Sequence, residues 1–131
     1  MYKNLLLPLA YRPGHHPEAE IRAARAIAAP GARVTLVHVI GAVPEFQIEQ
    51  GATRAALAQI VARDLERIAE GFVQAEVEVL EGDPAETIVD LARRRGVDCI
   101  VLAPHRTETG EYGSTAAQVV RRAPCTVHLV R

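Results

Sequence analysis

An open α/β fold, three layers deep with a parallel sheet between helices, is what this sequence predicts. Three observations carry that expectation. Apolar runs of strand length alternate with amphipathic helical stripes along the chain, giving βαβαβαβαβ. Two of the runs, Asn4 to Leu9 and Cys99 to Ala103, are almost wholly apolar, as strands covered on both faces must be. Gly and Pro punctuate the junctions where helices start and stop. Buried strands alternating with helices imply right-handed crossovers and helices on both faces of the sheet.

The elements follow in order. Asn4-Leu5-Leu6-Leu7-Pro8-Leu9 reads as the first strand, with Pro8 at its C-terminal end because proline gives the ladder no donor. Tyr11 to His16 reads as a loop. Pro17 suits the first helical position, and Glu18 and Glu20 favour the positive helix start. Ile21, Ala24, Ile27 and Ala28 form a helical stripe that Pro30-Gly31 ends. Arg33 to Ile40 is the second strand, and Gly41 to Gly51 a long connection. Thr53 to Gly71 reads as a long helix with Leu57, Ile60, Val61, Leu65 and Ile68 on one face.

Val73, Ala75, Val77 and Val79 then alternate with polar residues, which marks a half-exposed edge strand. Asp83 and Pro84 read as the cap and first position of a third helix, with Ala85, Ile88, Leu91 and Ala92 facing inward. Arg93-Arg94-Arg95 suit its negative end, and Gly96 closes it. After the fourth strand comes a polar loop, Pro104 to Tyr112. Gly113-Ser114-Thr115 opens the last helix, with Ala116, Val119 and Val120 on one face. Thr126 to Val130 is the last strand.

Composition narrows the function. With 131 residues and 49% hydrophobic content, the chain is expected to form one domain with one core. A net charge of −1 argues against a basic nucleic-acid binder, and the absence of Trp against a base-stacking surface. No apolar run reaches membrane-spanning length, and the N-terminus runs straight into a strand pattern. The expectation is a cytoplasmic protein without membrane attachment. Cys99 and Cys125 lie in or beside apolar strands and read as reduced structural thiols.

Open sheets of this class take ligands outside the C-terminal ends of their strands. The fourth strand, its polar loop and the start of the last helix converge there. Ser114 and Thr115 could cap that helix, or the same helix start could hold an anion. His105 and Arg106 sit on the loop. An arginine there offers a planar fork to phosphate. His15-His16 lack a flanking Cys or acidic cluster, so no metal site is assigned. His38, on a strand, reads as a core or interface histidine. Glu108 and Glu111 read as solvated loop charges. No Ser-His-Asp or Cys-His arrangement is legible, so no catalytic residue is assigned. A phosphorelay receiver would need acidic residues after the first strand for Mg²⁺, and Leu9-Ala10-Tyr11 supplies none.

In order and at the right spacing, several segments resemble the universal stress protein family. They are Lys3-Asn4-Leu5-Leu6-Leu7-Pro8-Leu9, Val34-Thr35-Leu36-Val37-His38-Val39, Gly82-Asp83-Pro84-Ala85, and Ala123-Pro124-Cys125-Thr126-Val127-His128-Leu129-Val130-Arg131. The resemblance implies a Rossmann-like, adenine nucleotide alpha hydrolase-like fold with strand order 3-2-1-4-5. It implies a regulatory stress-response role and, as cofactor, ATP or AMP with Mg²⁺. The nucleotide site so implied comprises Pro8, Val39, Ala103, His105, Arg106, Gly113, Ser114 and Thr115.

Nucleotide-binding members carry Gly-x2-Gly-x9-Gly-Ser/Thr. Here Gly113-Ser114 are kept, Ala103 and Arg106 replace the first two glycines, and only six residues separate Arg106 from Gly113. Ala10 stands where such members have the aspartate that contacts ribose. Two other functions therefore stay open. One is a nucleotide-independent interaction module. The other is a hydrolase or transferase acting on a phosphorylated small molecule, with His105 as acid or base.

The last expectation is a homodimer through the terminal strand, Thr126, Val127, His128, Leu129 and Val130. An apolar sheet edge invites pairing with its own copy, and the resemblance implies the same contact.

Overall fold

The computed structural model describes residues 1–10, 17–41, 54–103 and 113–131. The strands are β1 (Tyr2–Pro8), β2 (Ala28–Ile40), β3 (Gln74–Glu81), β4 (Cys99–Leu102) and β5 (Thr126–Leu129). The helices among the described residues are α1 (Glu18–Ile27), α2 (Arg54–Ala69), α3 (Pro84–Arg94) and α4 (Ser114–Arg122). The strands form one sheet in the order β3-β2-β1-β4-β5, parallel throughout. This is the expected order. Chain direction along the sheet reverses between β1 and β4, which places the switch point at the C-terminal ends of these two strands.

Period-two alternation sorts the side chains of β1 between two cores. Leu6 joins Ile100, Val37, Ile88, Leu91 and Val119 under α3 and α4. Leu5 and Leu7 join Val34, Leu36, Val101, Ala24, Val61 and Leu65 under α1 and α2. Leu5, Leu6 and Leu7 are fully buried because neighbouring strands cover their edges and helices cover both faces. The edge strand β3 is half-covered, as its alternation required.

The β1–β4 junction is tied at its start. The Asp98 carboxylate accepts from the Lys3 and Asn4 amides at 2.9 and 3.1 Å. The Asn4 side-chain amide donates to the Arg95 carbonyl at 2.7 Å. Arg95 then reaches across the sheet. Its guanidinium meets Glu76, Glu78 at 3.1 Å and the buried Thr35 hydroxyl at 3.4 Å.

Several local expectations need correction. Pro17 caps α1 from outside its first position. The helix ends before Pro30-Gly31, at Ile27, and Ala28 is already extended. Pro30-Gly31 sit instead in a bulge, where the β1–β2 register jumps between Tyr2↔Ala28 and Asn4↔Arg33 and Gly31 takes φ +75°. Ile60 and Val120 are each 50% exposed, and Val73 lies outside β3 at 96% exposure. Ala103 lies just past the end of β4, and Val130 just past the end of β5. Val130 nevertheless continues the pairing, its N–H donating to the Leu102 carbonyl at 2.9 Å. Thr53, where the second helix was expected to start, lies outside the described residues, as do the loops Tyr11 to His16 and Pro104 to Tyr112.

Candidate functional site

At the switch point the ends of β1, β2 and β4 and the starts of α3 and α4 enclose a cleft of about 380 Å³. Six of the expected site residues line it: Pro8, Val39, Ala103, Gly113, Ser114 and Thr115. His105 and Arg106 lie outside the described residues. Of the rest of the lining, sequence marked only Ala10, as the place of the family's ribose-contacting aspartate. Leu9, Val37, Pro84, Ile88 and Leu102 make it largely apolar, and Ala10, His38 and Ala116 complete it. One signal could have found Pro84. A right-handed crossover brings every helix start in such a sheet to the C-terminal edge.

The two helix starts at the cleft differ. At α3 the Asp83 carboxylate accepts from the Glu86 amide at 2.9 Å, and Pro84 has no N–H to satisfy. That end already has its anion. At α4 the cap is Gly113, with φ −62° and ψ 159° and no side chain to cap anything. Ser114 is the first helical residue, so its expected capping role is not seen. The first helical bond runs from the Ala117 amide to the Gly113 carbonyl, at 3.2 Å. The N–H groups of Ser114, Thr115 and Ala116 precede it and border the cleft, which concentrates partial positive charge there.

His38 is not simply a core or interface histidine. It is half-buried in the wall of the cleft, with Nδ1 2.8 Å from the Leu9 carbonyl. A carbonyl only accepts, so Nδ1 carries the hydrogen.

The cysteines take no part in the site. Cys99 packs in the core under α1 and α2, Cys125 against the core on the other face, so the two thiols serve opposite faces of the sheet. Burial pushes the Cys99 thiol up to about 11 and raises that of Cys125. Neither is an activated nucleophile. Among the described residues no group of three His, Cys, Asp or Glu could hold a metal ion. No helix there is long and apolar enough to cross a membrane.

A doubly wound parallel sheet with a largely apolar cleft at its switch point, bordered by the start of α4, defines a class of small α/β domains whose ligands bind at that edge of the sheet. Comparison with known proteins narrows it. The universal stress protein family profile matches residues 1–131, and the chain belongs to that family.

A universal stress protein of Thermus aquaticus is 33% identical over an alignment that covers 100% of both chains. One from Methanothermobacter thermautotrophicus is 45% identical over 53 residues, 39% of this chain and 36% of that protein. Among solved structures, the universal stress protein UspA of Lactobacillus plantarum is 28% identical with TM-score 0.76, covering 99% of this chain and 98% of its own.

Two further structures share the fold and hold adenine nucleotides. A universal stress protein in complex with cAMP has TM-score 0.71 at 22% identity, covering 99% of this chain and 97% of its own. A family protein of Arabidopsis thaliana with AMP bound has TM-score 0.69 at 20% identity, covering 98% and 90%.

Proposed function

We propose that this chain is a regulatory, cytoplasmic universal stress protein that takes an adenine nucleotide, AMP or ATP, in the switch-point cleft. The observation that carries the proposal is the uncapped start of α4 opening into an apolar pocket. An anion there completes the helix's unsatisfied N–H groups, which makes it the place for phosphate. Val39 and its apolar neighbours offer the base a dry wall. The structures with AMP and cAMP support the ligand class.

The described lining carries no carboxylate, so Mg²⁺ would enter on the phosphates of ATP. With Ala10 in the wall, affinity rests on base and phosphate more than on ribose. His105 and Arg106 belong to this proposal on their side-chain chemistry alone, an imidazole and a guanidinium being groups that suit phosphate. The assembly proposed with it is a homodimer joined through β5.

Calorimetry with AMP, ADP and ATP, with and without Mg²⁺, tests the reading. Ser114→Pro is the informative variant. Gly113 already has the extended conformation that a following proline demands, and proline suits the first helical position. It therefore removes one phosphate donor and a hydroxyl while keeping the helix. Saturable binding in the wild type, weakened about tenfold by Ser114→Pro, is expected. No binding at millimolar nucleotide would overturn the reading in favour of a nucleotide-independent interaction module.

A further inference from the structure

The β1–β2 ladder ends at Pro8↔Val37, yet the chain does not leave the sheet there. Leu9, one residue on, is held from both sides. Its N–H donates to the Val37 carbonyl at 2.8 Å, and its carbonyl accepts from His38 Nδ1 at 2.8 Å. The first contact is backbone pairing. The second is made by a side chain that lines the cleft.

Leu9 is buried in the core under α1 and α2, while Ala10 beside it is exposed and borders the pocket. The Leu9 carbonyl therefore sits at the hinge between core and cleft wall. Leu9, His38 and Ala10 all line the cleft.

We infer that His38 is a positioning residue for the nucleotide: its Nδ1–H, by fixing the Leu9 carbonyl, sets where the Leu9–Ala10 wall stands. This rests on the adenine-nucleotide reading of the cleft. The part of the wall after β1 has no side chain at Ala10 that could reach a ligand by hydrogen bonding. Its contribution is shape, and shape is what a fixed backbone provides.

The test combines AMP calorimetry with nitrogen-15 NMR of the histidine ring. His38→Leu removes the donor at similar volume. His38→Asn restores an N–H near the Nδ1 position. Wild type is expected to bind AMP, His38→Leu about tenfold more weakly, and His38→Asn to recover most of the loss. Wild-type His38, when neutral, is expected in the Nδ1–H form. Equal AMP affinity in wild type and His38→Leu would overturn the inference and leave the nucleotide reading standing. A neutral ring protonated on Nε2 would overturn it without recourse to any variant. Failure of the wild type to bind AMP, ADP or ATP would remove the nucleotide reading, and the positioning role with it.

Discussion

A single guanidinium ties the end of a helix to two strands of the sheet. Arg95 caps the C-terminus of α3 and extends over Thr35 to Glu76 and Glu78 on the edge strand. Its hydrogen bond and charge hold the Glu76 carboxyl below the usual carboxylate value of 4.5. A carboxylate depressed in the folded state stabilises the fold above its unfolded value. That stabilisation disappears as pH falls through the depressed one. The wild type should therefore exceed Arg95→Gln in urea midpoint at pH 7, and the gap should close in the acid range below about pH 4. A gap that stays constant with pH would assign the effect to packing of the arginine stem instead. Sequence showed Arg95 only as a charge suited to a helix end. Glu76 is 19 and Thr35 60 residues away, and only the strand order brings them and Glu78 together.

At the level of elements, start signals were legible and coverage was not. Asp83-Pro84 marks the start of α3 correctly because a cap is a local interaction within one turn. Ile60 and Val120 fit helical stripes yet are half-exposed, because neighbouring elements, not the helix, decide how wide a stripe is covered. Gly113-Ser114 marked the start of α4, but which residue caps it depends on backbone angles that no motif states.

The contrast between α3 and α4 yields a paired prediction. Asp83→Ala should cost about 1 kcal/mol of stability, read by chemical denaturation, and leave AMP affinity nearly unchanged. Gly113→Asp should gain about 0.3 kcal/mol by capping α4. It should also weaken AMP binding, because its carboxylate would occupy the place of the phosphate. Unchanged affinity in Gly113→Asp would place the phosphate elsewhere in the cleft.

For the whole molecule, the alternation of elements sufficed to foresee a parallel sheet with helices on both faces. The family resemblance supplied the strand order. The outer layer follows from it: β3 and β5 are the two edges. The charged partners of Arg95 occupy one face of β3, where Glu76 and Glu78 alternate with Val77. The other edge, β5, is short and carries partly buried Val127 and Leu129, with exposed Val120 on α4 available to add apolar area. Such an edge favours isologous pairing with a second copy. Light scattering at micromolar concentration should give a dimer mass, and Val127→Pro, which removes a ladder donor, should give a monomer. A monomeric wild type would reject the contact.

The central position of β1 also sets a schedule for the nascent chain. Its amides at Lys3 and Asn4 bond to Asp98, across sequence gaps of 95 and 94 residues. At about 5–20 residues per second, ribosomal synthesis separates the two segments by roughly 5–20 s. During that interval Leu5-Leu6-Leu7 can pair with β2 but has nothing on its other side. A strand whose three central leucines are fully buried in the finished protein is thus the one longest exposed while the chain is being made, with an apolar edge open to unwanted partners until β4 arrives.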